Sequence, residues 1–260
     1  MEKACKKTII YHDLLHDEFS TMEIHAEPIT KDYVYLRDRT GGGKRKRFFL
    51  FHFLAKPLAW FYLKFKFHHE IVGKWKLKPY KKEAIFCYGN HTQIIGDALI
   101  PAFLVSPRYI NVIVHPNNVY IPRIGKHVPL LGGLPLPSDK EAKKNFDDAI
   151  SVRVDEKQAL FIYPEAHIWP YYTGIRPFPA DSFIYPVQHK TPVFCFTNTY
   201  HARRNGKAVR IRTFVDGPFF PDSSLSPREA TEKLRNEVYQ AMLERSELSS
   251  YAFIQYVKGE

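Results

Sequence analysis

The chain has 260 residues, 45% hydrophobic and 15% aromatic, enough for one full core and too apolar for a disordered polymer. Its 38 basic and 27 acidic residues leave a net charge of +11, which attracts polyanions: nucleic acid, an anionic bilayer, an acidic carrier protein or a phosphorylated ligand. The three cysteines, Cys5, Cys87 and Cys195, are widely spaced; this excludes a disulfide framework or a metal-ligand pair and makes a reducing, cytosolic setting the default.

Residues 1–43 read as a polar N-terminal extension. No apolar core of signal-peptide length follows the basic start Met1 to Lys7. Within the extension, Lys31 to Arg37 alternates like a short strand. Gly41-Gly42-Gly43 predicts a flexible joint, and the four cations Lys44 to Arg47 predict a solvated run. The glycines lack the spacing of a phosphate-cradling loop.

Residues 44–75 form the second unit. Phe48 to Phe67 is apolar and rich in aromatics, but Lys56-Pro57 interrupts its centre. A spanning helix needs about 20 predominantly apolar residues, and a central charge is costly there. The pattern fits two short amphipathic helices in a membrane interface, with cations on anionic headgroups and aromatics at the acyl boundary. A buried helical hairpin covering a sheet is the other reading.

Residues 76–260 read as an α/β domain. Ala84 to Tyr88 is a buried strand, and Ala98 to Val105 a buried helix. Between them lies Asn90-His91-Thr92-Gln93-Ile94-Ile95-Gly96-Asp97, a histidine and a carboxylate at a strand-to-helix turn, where open α/β sheets place ligands. A neutral imidazole can take a proton from a hydroxyl, and a carboxylate can fix its tautomer and stabilise the imidazolium. No serine or cysteine closely follows His91, so the proton donor is a bound substrate.

Tyr109 to Val114 is the next strand, followed by a proline- and glycine-rich functional loop over 121–137 that carries Arg123 and Lys126. Ser138-Asp139-Lys140-Glu141 is a capping box opening a helix over about 139–156. Gln158 to Tyr163 is a strand ending in Pro164-Glu165-Ala166-His167-Ile168-Trp169-Pro170-Tyr171-Tyr172, read as a ligand wall. Pro192 to Phe196 and Val209 to Val215 are further strands. Ser226-Pro227-Arg228-Glu229 caps a last amphipathic helix through Ala230, Leu234, Val238 and Met242. The final dozen residues carry no signal. Strands alternating with helices make a mostly parallel central sheet flanked by helices.

Four of these segments, taken in order, resemble the lysophosphatidic-acid acyltransferase (PlsC-like) superfamily of glycerolipid acyltransferases. Asn90-His91…Asp97 is similar to its catalytic block, Gly125-Lys126…Gly133-Leu134-Pro135-Leu136 to its second, and Phe161 to Glu165 with Pro177-Phe178 to its third. Thr191-Pro192-Val193 is similar to its fourth. The likeness spans roughly residues 45–220 and rests on four blocks in sequence, each weak alone.

The resemblance implies a glycerol-3-phosphate acyltransferase-like fold and acyl transfer at the cytoplasmic face of a membrane, with peripheral or monotopic attachment. His91 would be the base on an acceptor hydroxyl and Asp97 its support. The donor would be an acyl thioester of CoA or acyl carrier protein, the acceptor a lysophospholipid or related lipid, 1-acylglycerol-3-phosphate among them. No metal or redox cofactor is implied. Asn90, Glu165, Ala166, His167, Trp169, Tyr171 and Tyr172 would line the acceptor site.

Two departures stand out. Five residues rather than four separate His91 from Asp97, so the turn must begin non-helically. The family's phosphate-binding arginines are absent: Ala166-His167-Ile168 replaces its Gly-Thr-Arg, and Pro137-Ser138 ends the second block. Arg176, Arg123 or Lys126 would supply the cation instead. Two rival classes share these residues: a thioesterase or hydrolase using His91 and Asp97 on water or Cys87, and a non-catalytic basic module. For the latter, the cations crowd the apolar 48–67 segment, which suits a bilayer rather than nucleic acid.

Overall fold

A computed structural model describes residues 7–19, 26–203 and 208–259; Cys5 and most of the basic N-terminus lie outside them. The core is a seven-stranded sheet in the order β2-β8-β7-β3-β6-β4-β5. β3 (Ile85–Gly89) lies at its centre, between β6 (Ala159–Ile162) and β7 (Val193–Ala202). Both pairings are parallel, and β4 (Ile110–Val114) and β5 (Gly133–Pro135) extend the parallel part to one edge. β8 (Val209–Phe219) returns antiparallel to β7, and the short β2 (Glu70–Val72) closes the other edge.

β3 is buried throughout because both faces of the sheet are covered, which is why its sequence is continuously apolar. Ile85 and Cys87 point into one core with Phe161, Phe194 and Phe196; Phe86 and Tyr88 point into the other. The helices Lys140–Asp155 and Pro227–Ser246 cover that second core through Phe146, Ile150, Leu234, Val238 and Met242.

The first core is covered by the N-terminal helix. Residues 43–67 form one continuous helical rod, not two helices broken at Lys56-Pro57. Two stretches, Leu50–Ala55 and Tyr62–Lys66, are π-helical. Just before Pro57, the Lys56 N–H bonds five residues back to the Phe51 carbonyl, and this widened turn gives the proline ring room.

The widening also sets the helix's packing. Its buried positions recur every four residues: Gly43, Arg47, Phe51, the half-buried Ala55, then Ala59, Leu63 and Phe67. On an unmodified α-helix such a row rotates by about 40° at each step and leaves the core within three turns. The π segments unwind the rod so the row stays on the sheet.

The opposite face leaves Phe53, Leu58, Trp60, Phe61 and Phe65 each about half exposed or more. Among the described residues no helix is long and apolar enough to cross a membrane.

Arg47 departs from the expected solvated run. It is 2% exposed and pairs at 2.6 Å with the buried Asp38, which Arg153 of the helix Lys140–Asp155 also grips. Arg47 further donates to the Ile110 carbonyl at 3.0 Å, tying the rod to the sheet. Of the glycines ahead of it, Gly43 is a close contact, while Gly41 and Gly42 have open space around them. Gly42 takes a left-handed conformation, and a Cβ on Gly43 would lie 2.3 Å from the Arg37 carbonyl oxygen.

Three local expectations shift. Lys31 to Arg37 forms turns rather than a strand. The strand of the extension is β1 (Lys7–Tyr11), paired in parallel with β9 (Ile254–Lys258) from the chain's other end. The cap of the helix Lys140–Asp155 is Asp139, which accepts from Ala142 N–H, because the Ser138 hydroxyl is engaged with Ile29 N–H. The second capping box, at Ser226 and Glu229 with Pro227 at the first helical position, forms as read.

Candidate active site

The end of β3 shapes the site. Past Gly89 the main-chain ladder stops, and the Asn90 side chain continues it: its amide donates to the Asn198 carbonyl at 3.0 Å and its Oδ1 accepts from Asn198 N–H at 2.8 Å. Asn90 is 1% exposed, so it is a fold-locking residue under the site rather than a ligand contact. Residues 91–93 then run without helical structure, and the helix begins only at Gly96. That non-helical start brings His91 Nδ1 to 2.9 Å from Asp97 Oδ2.

The His91 side chain is 18% exposed, and its ring lies on Tyr163, centroids 4.6 Å apart and nearly parallel. Tyr163 in turn donates its hydroxyl to the Asp97 carbonyl. Nδ1 faces an acceptor, so it carries the proton, and Nε2 is the basic nitrogen. Nε2 has no hydrogen-bond partner among the described residues.

Asp97 is 2% exposed. Its Oδ2 also accepts from Gln93 N–H at 2.9 Å, and its Oδ1 from Asn198 Nδ2 at 3.2 Å. Burial raises the Asp97 carboxyl above its ordinary range, against the opposing hydrogen bond and charge of His91. A carboxylate made more basic by burial pulls harder on an imidazolium at 2.9 Å.

Asn198 does not hold its amide unaided. Its Oδ1 accepts the Thr213 hydroxyl at 2.6 Å, and Thr213 Oγ1 lies 2.8 Å from His69 Nε2. The proton directions are forced: Asp97 only accepts, so Asn198 presents its amide; Thr213 has one proton and gives it to Asn198; His69 must therefore donate to Thr213. Burial pushes the His69 imidazole down to about 4, so the ring is neutral near pH 7.

The Glu165 loop holds the histidine's backbone. Glu165 Oε2 accepts from His91 N–H at 3.1 Å, and Oε1 from Arg176 N–H at 3.0 Å. Trp169 N–H donates to the His91 carbonyl at 3.1 Å, and Tyr171 N–H to the Thr92 carbonyl at 2.9 Å.

Several residues read as ligand wall therefore serve as frame. Arg176 is 0% exposed, bound to the Glu165 carboxylate and to the Glu165 and His167 carbonyls, and is not open to a ligand phosphate. Trp169 is 0% exposed in a nest with Tyr11, Phe19 and Tyr256, each ring about 5.0 Å away. Tyr172 packs on Trp169 and Tyr256, and Tyr171 on Phe253 and Tyr200. Ala166 is exposed at φ +63° and His167 is partly exposed. Arg123 and Lys126 are exposed on the loop between β4 and β5. Cys87 is 2% exposed and burial raises its thiol pKa, which removes it as a nucleophile.

Sequence reading missed Asn198, Thr213, His69 and Tyr163 as site residues. One signal was present: Thr197-Asn198-Thr199 sets three polar residues inside an otherwise buried strand. The Thr213–His69 contact joins residues distant in sequence and left no local mark.

The layout defines a class: a PlsC-like α/β fold with its histidine and aspartate at the C-terminal end of the central strand. Among solved structures the chain is similar to the crystal structure of the 1-acyl-sn-glycerophosphate (LPA) acyltransferase PlsC from Thermotoga maritima. The TM-score is 0.54 at 16% identity, over 81% of this chain and 83% of that one. At that identity the likeness establishes the fold. No protein-family model matches the chain, and no curated protein matches its sequence.

Proposed function

We propose that this protein is an acyltransferase that moves a fatty acyl group from a thioester of CoA or acyl carrier protein to a hydroxyl of a lysophospholipid or related lipid. The observation that carries the reading is the His91 Nδ1–Asp97 Oδ2 contact of 2.9 Å, which leaves Nε2 as the free base at a strand's C-terminal end. In this reading Nε2 takes the acceptor's hydroxyl proton as its oxygen attacks the thioester carbonyl. The tetrahedral intermediate collapses, the carbon–sulfur bond breaks, and the imidazolium returns the proton to the leaving thiolate. Asp97 stabilises the imidazolium in between. The nucleophile is the acceptor oxygen, so no acyl-enzyme is needed, and Cys87 and Cys195 are both buried.

In this reading the protein sits at the cytoplasmic face of a membrane, peripheral or monotopic, and the half-exposed aromatic face of the 43–67 rod supports contact with a bilayer. The test is a radiolabelled acyl-thioester assay on total membrane lipid, with the product lipid identified and His91→Ala as control. Label in a lipid ester with wild type and not with His91→Ala supports the reading. Release of free fatty acid without need of an acceptor would overturn it in favour of hydrolysis.

A further inference from the structure

Beneath the N-terminal rod, beside β2, lies a cavity of about 270 Å³ that the proposed chemistry does not use. Leu63, Ile71 and Phe103 give it apolar walls, and Trp60 stands at its side. Its polar lining is two cations, Lys64 and Lys74, with the neutral His69 and the Ser106 hydroxyl. No carboxylate lines it.

A third ammonium, from Lys56, reaches the same Ser106 hydroxyl. Lys56, Lys64 and Lys74 form no ion pair among the described residues; the lysines that do, Lys31, Lys76, Lys143 and Lys233, belong to other contacts. Lys64 and Lys74 line the cavity while their residues stay exposed to solvent, and Lys74 is disfavoured as a cation by partial desolvation and then by Lys56. Like charges gathered at an apolar cavity with no counter-charge are what a bound anion relieves.

Three observations narrow the anion. Several ammonium groups suit a ligand of higher charge, as a phosphomonoester is with up to two charges over three oxygens, where a fatty carboxylate has one over two. The apolar walls add affinity for a phosphate that carries an alkyl chain over a bare ion. At about 270 Å³ the space falls below the roughly 300–1,000 Å³ of pockets that enclose whole ligands. It therefore admits a headgroup and the first part of a chain, with the remainder left to the exposed apolar residues Leu58, Phe61 and Phe65 of the rod.

We propose that this cavity is a binding site for the phosphate headgroup of a lipid, held by Lys64 and Lys74 with Ser106. The lipid is either the acyl acceptor or a phospholipid of the bilayer. The site deepens the acyltransferase reading, supplying the phosphate cations that the buried Arg176 cannot, but its binding test is independent of catalysis.

The probe is a short-chain phosphatidate below its micellar concentration, titrated calorimetrically beside inorganic phosphate and the matching neutral diacylglycerol. Wild type is expected to bind the phosphatidate at least about tenfold more tightly than either, and Lys64→Gln/Lys74→Gln to lose about tenfold of that. Lys81→Gln/Lys82→Gln, a pair of exposed cations outside the cavity, should bind as wild type. Equal binding of phosphatidate and diacylglycerol by wild type, or undiminished binding by the Lys64/Lys74 double variant, overturns the proposal.

Two further arms separate the sources. A rise in KM for monoacylglycerol phosphate, but not for monoacylglycerol, names the acceptor. Unchanged KM values in detergent, with weaker flotation on phosphatidate-containing vesicles, name the bilayer lipid. If wild type transfers no acyl group at all, the functional reading fails while the titration still decides the cavity.

Discussion

Replacing Thr213 by valine tests whether the His91–Asp97 pair depends on the buried chain behind it. The change keeps the shape of the side chain and removes the hydroxyl between Asn198 Oδ1 at 2.6 Å and His69 Nε2 at 2.8 Å. Two polar groups lose their partner. At about 1–3 kcal/mol each, with His69 partly solvated, the fold should lose about 2–4 kcal/mol. For a chain of this length that lowers Tm by about 4–7 °C.

The kinetic effect is smaller and more specific. Asn198 is freed to rotate, and a turned amide would set its oxygen against Asp97 Oδ1, where its nitrogen now donates at 3.2 Å. A hydrogen bond to a charged group contributes about 1.5–3 kcal/mol, so weakening it by half lowers kcat about fivefold. KM for an acceptor without a phosphate should not move, because the chain lies behind Asp97 and away from Nε2.

The assay is steady-state acyl transfer, with the His91 Nδ1–H resonance followed by NMR as a readout that needs no turnover. Thr213→Ser keeps the hydroxyl and should restore kcat to within about twofold. A Thr213→Val enzyme with wild-type kcat and an unmoved His91 resonance would refute the reasoning.

Asp97→Asn should cut kcat by about 10³–10⁴-fold through a mis-set imidazole; wild-type kinetics in that variant would reduce Asp97 to a helix cap. Arg176→Met strands Glu165, whose side chain is 0% exposed, and should cost about 3–5 kcal/mol in urea unfolding. Unaltered stability with weakened affinity only for phosphate-bearing acceptors would make Arg176 a ligand cation after all. His69 titrates at about 4 in the folded protein against about 6.5 in the unfolded chain, with burial the main cause, Glu70 opposing and Lys64 adding. The unfolded state thus binds the extra proton, and stability falls as pH drops from about 6.5 towards 4, by about 3 kcal/mol in full. His69→Gln should flatten that slope between pH 7 and 4.5, and an unchanged slope would exclude His69 as its source.

How much of this was legible in the sequence follows the range of the interactions. The parallel strands were readable because burial on both faces leaves unbroken apolar runs such as Ile85 to Tyr88. The Ser226 cap was readable because its partners lie three residues apart. Ser138 misled because the group that claims its hydroxyl, Ile29 N–H, is 109 residues away. The Arg47–Asp38 pair was invisible for a related reason: a run of four cations looks solvated unless the acid that buries one of them is known. β1 and β9 pair the two ends of the chain, so neither segment carries its partner's signal. In the site, the adjacent pair His91 and Asp97 was legible. Arg176, taken from sequence for a ligand cation, proved part of the frame because only the fold reveals Glu165 beside it.

The extra residue between His91 and Asp97 has a structural answer that ties these levels together. On a continuous helix, positions six apart differ by about 600°, or 240° after a full turn, and face apart. The chain avoids this by leaving residues 91–93 non-helical and turning at Ile94-Ile95, whose side chains are about half exposed. Gln93 N–H then closes the turn onto Asp97 Oδ2, the oxygen that also meets His91. Gly96 makes the closure possible, since a Cβ there would lie 2.9 Å from Gln93 Cβ. Gln93 is secured from below, its amide donating at 3.1 Å to the Tyr200 hydroxyl, which itself donates to Thr92 Oγ1 at 2.6 Å. The longer spacing is therefore absorbed by a turn clamped at both ends, and the contact that orients the imidazole, Nδ1 to the carboxylate oxygen, is kept at 2.9 Å.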